Sequence, residues 1–285
     1  MSKPQKDGGV EAPISLGGFF GSSDDDDNAH EAFEEVYENQ TLEVGEGSAA
    51  MDLVIRQHSW HQTNANKVWP GTFVLARFLE ERWQKYSTKG PVLELGAATG
   101  ALAIYLRLLS NVNFDVITSD IEDEGEIGEN VTHNCRQNGL VPHLHIPHTW
   151  GSPCEWHGHM ATRSITHSTD SNDSNSSNSS KSPLFQFIVA SDILLYVSAY
   201  PALVSTLNDL FLNCGTKEFV MAWNRRLDCS QFFQLSREAG FYCYHHGECI
   251  YSLFRRSKDA DHPYMFYQRQ EKPGTGPYNT PLPCV

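Results

Sequence analysis

The sequence predicts an α/β fold, built on a mostly parallel sheet that an antiparallel hairpin closes. Three observations lead there. Short apolar runs of strand type alternate with segments of helical periodicity between residues 91 and 254. A turn of small residues joins the first of those strands to the first of those helices. The last two extended runs follow each other with only a turn at Gly247 between them.

Taken in order, Pro91–Gly96 (PVLELG) is a short buried-strand pattern, and Thr99–Ser110 repeats its apolar residues at helical spacing. Asn113–Ser119 is the next strand and Asp123–Asn138 the next helix, with Leu144–Thr149 a weaker strand after it. Phe185–Ser191 (FQFIVAS) is a strand, Tyr200–Leu212 a helix, Glu218–Trp223 a strand, and Cys229–Ala239 a helix that stops at Gly240. Phe241–His245 and Glu248–Phe254 then form the hairpin. Strands separated by helices connect by right-handed crossovers, so the first strands run parallel with helices on both faces. The expected architecture is a Rossmann-like sheet of seven strands.

The flanks read differently. Residues 1–50 hold twelve carboxylates, including Asp24–Asp27, against Lys3 and Lys6, so most of the formal charge of −14 belongs to the N-terminal tail. Residues 1–45 are expected to be disordered, with Glu31–Val44 open to either a transient helix or an edge strand. Residues 46–256 are the folded domain, interrupted by a Ser/Asn-rich insert at 161–183 that cannot support a core, and 257–285 form a C-terminal tail where Tyr264–Tyr267 looks able to dock. Seven cysteines without paired spacing suit reduced thiols in the cytoplasm or nucleus. No apolar run approaches membrane-spanning length, no secretory signal is evident, and nothing indicates nucleic-acid binding.

The chemistry concentrates at strand ends. Glu94-Leu95-Gly96-Ala97-Ala98-Thr99-Gly100 leaves a strand and enters a helix, where small residues let the backbone approach a ligand. Its Gly-x-x-x-Gly spacing departs from the dinucleotide fingerprint, and the acid Glu94 favours a cationic or amine-bearing ligand over a pyrophosphate. A glycine-rich turn without a ligand is the bland alternative. Asp120 ends the next strand, 20 residues beyond Gly100, where an acid accepts hydrogen bonds from a ribose diol. It could instead cap the following helix, unless Asp123 does so.

These segments resemble a known family. Val68-Trp69-Pro70-Gly71 through Leu79, then VLELGAATG, ITSDIED, HTWG and FIVASDILLYVSAYPALVSTL, are similar in content and order to methyltransferase family 16, the seven-strand protein lysine methyltransferases and their relatives. The resemblance spans about 200 residues and implies S-adenosyl-L-methionine as cofactor. It places Trp69 beside that cofactor, with Glu94, Gly96, Ala97, Ala98 and Gly100 on the turn that receives it. Asp120 would hold the ribose, Trp150 would pack on the adenine, and Ser191 would lie beneath the cofactor. Asp192 matches the family's acid after the fourth strand, while Tyr196 stands one position later than the family's aromatic.

Asp192 and Tyr196 are the catalytic candidates. An acid can orient an incoming amine, and an aromatic wall stabilises a cationic centre. The alternatives are a helix cap for Asp192 and a core aromatic for Tyr196. The expected function is methylation of a protein lysine by a monomer. The rivals are a small-molecule N- or O-methyltransferase and a non-catalytic module on the same scaffold. No metal site is expected, since Cys154, His157 and His159 lack a second ligand pair. His143, His145 and His148 read as exposed strand residues, and Arg225, Arg226, Arg255 and Arg256 as solvated strand ends.

Overall fold

The computed structural model describes residues 37–44, 51–59, 61–86, 90–109, 114–167, 183–224 and 228–255. The tail before residue 37, the insert from 168 to 182 and the tail from 256, with Tyr264–Tyr267, Arg225, Arg226 and Arg256, lie outside them.

The chain opens with strands β1 (Tyr37–Val44) and β2 (Met51–His58), followed by helices α1 (Pro70–Glu81) and α2 (Trp83–Tyr86). The alternation then runs β3 (Val92–Leu95), α3 (Ala101–Leu108), β4 (Val116–Asp120), α4 (Glu126–Gln137), β5 (His145–Pro147), a helix α5 (Trp156–His167) where the sequence predicts none, and β6 (Phe187–Ser191). A 3-10 turn at Val197–Ala199 leads into α6 (Tyr200–Asn213), then β7 (Glu218–Ala222), α7 (Ser230–Glu238), β8 (Phe241–Gly247) and β9 (Ile250–Arg255).

Seven strands make one sheet in the order β5-β4-β3-β6-β7-β9-β8. The first five pair in parallel, whereas β9 runs antiparallel to both β7 and β8. This is the predicted mostly parallel sheet with its closing hairpin. Alternation along each strand feeds two cores. Val92, Phe187 and Val189 join the core under α1, α3 and α4, while Leu93, Ile188 and Ala190 join the one under α6 and α7.

Two boundaries differ from the sequence expectation. Tyr37–Val44 is a strand paired with Met51–His58, the strand alternative for Glu31–Val44, so the folded domain begins before residue 46. Its Val44 is only 1 % exposed, so burial of an apolar side chain holds what composition left open. Helix α5 runs to His167, seven residues into the stretch assigned to the insert.

The outer edge of β2 is closed by side chains. Asn134 and Asn138, four apart on α4 and at its end, hydrogen-bond the backbone of β2: Asn138 accepts from the Val54 amide at 3.0 Å and donates to its carbonyl at 2.8 Å. Asn134 accepts from the Arg56 amide at 2.8 Å. Amide side chains there take the place of a neighbouring strand.

Candidate functional site

Strands β3, β4, β5 and β6 end on one side of the sheet, the side on which open α/β folds bind ligands. The turn after β3 is held from below. The Gly96 and Ala97 amides both donate to the Ser119 carbonyl, at 2.8 and 3.2 Å. Gly96, Ala98 and Gly100 all have positive φ, of 67°, 49° and 74°. That conformation is strained for alanine, and it is fixed by the Ala98 amide donating to Asp120 Oδ2 at 2.7 Å. Gly100 has a second constraint, since a Cβ there would meet Val131 Cγ1 at 3.1 Å.

Asp120 is 9 % exposed, and its other oxygen accepts from the Ile121 amide at 2.8 Å. Burial pushes its pKa up, while these two N–H bonds pull it down. It does not cap α4. Asp123 does, accepting from the Ile127 amide at 2.9 Å. Glu94 is buried, and its Oε2 accepts from the Ala103 amide in the first turn of α3 at 3.1 Å. Burial pushes its pKa up to about 8, and the Ala103 bond only partly offsets that.

The end of β6 meets the start of α1. Ser191 Oγ lies 3.0 Å from Thr72 Oγ1. Asp192 has φ of 51° and is 2 % exposed. Its Oδ2 accepts from the Gly71 amide at 2.6 Å and its Oδ1 from the Asn224 amide at 3.2 Å. It therefore does not cap the helical turn that follows it and instead fixes α1. Tyr196 is 44 % exposed, which removes the reading as a core aromatic. Its hydroxyl accepts a hydrogen bond from the Asn64 side chain. The Asn64 carbonyl accepts from the Trp69 indole N–H at 2.9 Å.

The structure thus groups most of the sequence-derived residues. Gly96 faces Trp150 and Ile193, since a Cβ on it would lie 3.7 Å from Trp150 Cζ2 and 2.7 Å from Ile193 Cγ2. Ala98 meets Asp120, Ser191 meets α1, and Trp69 meets Tyr196 through Asn64. Sequence reasoning missed Asn64, Thr72, Ile193 and Asn134, whose amide donates to the Thr99 carbonyl at 3.0 Å. Only Asn64 carried a local signal, as an Asn in a polar loop that tolerates its φ of 60°.

The weaker candidates resolve otherwise. His148 is buried rather than exposed, with Nε2 3.0 Å from the Ser152 carbonyl. His143 Nε2 and His145 Nδ1 lie 3.1 and 3.0 Å from Thr118 Oγ1, so both are engaged by the neighbouring strand. Arg255 donates to Asn208. Six cysteines among the described residues are free thiols, and no described helix is long and apolar enough to cross a membrane.

A sequence-family model described as lysine methyltransferase matches residues 47–239. No curated protein matches the chain by sequence. Among solved structures, the chain is similar to a ribosomal protein L11 methylase from Lactobacillus delbrueckii subsp. bulgaricus, at 16 % identity over 67 % of this chain and 81 % of that one, with a TM-score of 0.41. It is similar to a TehB-like SAM-dependent methyltransferase from Corynebacterium glutamicum, at 10 % identity over 65 % and 99 % of the two chains, with a TM-score of 0.37. A third likeness is to TrmK of M. capricolum in complex with S-adenosyl-homocysteine, at 10 % identity over 62 % and 66 %, with a TM-score of 0.34.

Proposed function

The chain belongs to the lysine methyltransferase family whose model it matches, and on that premise we propose that its acceptor is a lysine side chain of a protein. Membership makes it an S-adenosylmethionine-dependent methyltransferase; the lysine acceptor is the finer reading. The residues present fit the cofactor. A buried acid of raised pKa, Glu94, beside a glycine turn suits a ligand bearing a cationic amine. The oxygens of Asp120 each take one backbone N–H and retain a lone pair for a ribose diol.

When bound, S-adenosylmethionine supplies an electrophilic methyl group on a sulfonium. The chain supplies position. Asp120 locks Ala98, so the turn presents its backbone in one shape. Asp192 locks the start of α1 and with it Trp69. A displacement at carbon depends on the alignment of nucleophile and leaving group, so such fixed walls account for much of the acceleration. Asp192 acts here as a positioning residue: its carboxylate is 2 % exposed and seats the Gly71 and Asn224 amides.

The observation that carries the lysine reading is Tyr196. It is a half-exposed aromatic tied through Asn64 to Trp69. A partly exposed aromatic face beside the cofactor residues favours a long cationic side chain reaching in from solvent. Incubation with labelled S-adenosylmethionine and a cell extract should label protein, and mass spectrometry should find methyl-lysine. Label confined to small molecules would overturn the lysine reading. Tyr196→Ala should raise KM for the labelled protein far more than it changes cofactor affinity.

A further inference from the structure

Beyond the methyl-transfer site, a second cluster of ligating side chains sits where the loop after β2 meets the segment between β4 and α4. His61, on that loop, is 7 % exposed. Its Nε2 is buried with no hydrogen-bond partner, 3.6 Å from Asp123 Oδ2. Glu126 Oε1 is likewise buried without a hydrogen bond, and 3.6 Å from His58 Nδ1. One donor atom from each of His61, Asp123 and Glu126 falls within 4.8 Å of the others.

We propose that His61, Asp123 and Glu126 bind a divalent first-row cation of the zinc class, which ties the loop after β2 to the start of α4. The separations are too long for hydrogen bonds. The 3.6 Å between His61 Nε2 and Asp123 Oδ2 suits a shared cation, because ligands about 2.0–2.2 Å from zinc stand roughly 3.4 Å from one another in a tetrahedron. One imidazole with two carboxylates is a donor set that such cations accept. The surroundings already orient the donors. Asp123 is held by the Gly125 and Ile127 amides at 3.2 and 2.9 Å. Thr63 Oγ1 lies 3.0 Å from His61 Nδ1. With the ring's one proton on Nδ1 and donated to Thr63, the Nε2 lone pair faces Asp123. The Thr63 amide also lies 3.2 Å from Nδ1, so binding through Nε2 selects the tautomer in which Thr63 Oγ1 accepts from Nδ1–H. His58 Nδ1 lies 3.6 Å from Glu126 Oε1, outside the group of three donors.

Bridging here joins the loop that carries Asn64, and so Trp69, to the segment just after Asp120. The cation would stiffen the cofactor's enclosure without touching the transferred methyl.

Full-length protein stripped with a chelator should bind one equivalent of Zn2+ by calorimetry. At Zn2+ a hundredfold above the dissociation constant, its melting temperature should rise by about 5 °C or more. Co2+ should give visible absorption without the intense near-ultraviolet band of a thiolate ligand. The double variant His61→Gln, Glu126→Gln should lose the equivalent and the shift, while Glu126→Gln alone, at a partly exposed position, controls for folding and should weaken binding. Absence of binding at millimolar Zn2+, unchanged binding in the folded double variant, or a thiolate band would each overturn the site. None of these readouts depends on which acceptor is methylated.

Discussion

The Asp192 carboxylate crosses from the end of β6 to the start of α1, where Oδ2 lies 2.6 Å from the Gly71 amide, 121 positions away in the chain. Gly71 is small enough to permit this. A Cβ on it would sit 2.8 Å from the same oxygen. The pair therefore works as one unit, with the acid supplying the acceptor and the glycine supplying the space. The N-terminus of a 12-residue helix is a favourable place for a carboxylate, and here the favour is used to seat α1 beside Trp69.

Breaking that unit from either side should have the same result. Asp192→Ala leaves buried N–H groups without a partner and should cost about 1–3 kcal/mol of stability. Turnover should fall at saturating cofactor, because α1 and Trp69 lose their seat. Gly71→Ala should do likewise by displacing the carboxylate, and the double variant should be less damaging than the sum. Denaturant melts and turnover on the three proteins test this. Additive losses, or normal turnover in folded Asp192→Ala, would remove the positioning role.

Asp120 holds both the strained Ala98 and the proposed ribose contact. Asp120→Ala should weaken cofactor binding by about 1–3 kcal/mol, the range for a hydrogen bond to a charged group. The melting temperature should fall as well, since Ala98 at φ of 49° loses its anchor. Calorimetry with S-adenosylmethionine is the check. An unchanged dissociation constant would take Asp120 out of the site.

Glu94 gives the fold a pH dependence of definite sign. Its pKa rises from 4.5 to about 8 on folding. Below 4.5 the group is protonated in both states and its contribution is fully present. Between 4.5 and 8 the unfolded chain gives up the proton while the folded chain keeps it, so stability falls as pH rises, by at most ~5 kcal/mol across the window. Glu94→Gln should flatten this, and the difference between the two proteins in urea should grow from pH 5 to pH 8. Parallel stability curves would disprove the shift. A cationic cofactor should draw the proton off, so its binding enthalpy near neutral pH should vary with buffer in the wild type and not in Glu94→Gln.

Strand β1 changes what can be trimmed. A chain beginning at residue 46 lacks the partner of β2 and the buried Val44. It should melt below a chain beginning at residue 37, with Val44 alone worth about 1.5–3 kcal/mol. Equal melting temperatures would mean that β1 contributes nothing to the folded domain.

Seven strands of the sheet, helices α3, α4, α6 and α7, and the turn from Gly96 to Gly100 are legible in the sequence alone. Those features are written in short-range signals: apolar periods of about 2 and 3.6 residues, and small residues where the backbone must turn. The sequence also selects Glu94, Asp120 and Asp192 as acids at strand ends. What those acids hold depends on the packing of the folded chain. Glu94 seats α3, Asp120 locks Ala98, and Asp192 seats α1, which precedes it by more than a hundred residues. The same holds for Asn134 and Asn138 closing the edge of β2, and for Asn64 linking Trp69 to Tyr196. Each of these contacts joins residues that the order of strands in the sheet and the packing of α1 and β2 bring together. A hydrogen bond has a range of about 3 Å, so its partner is set by that packing and not by any pattern along the chain.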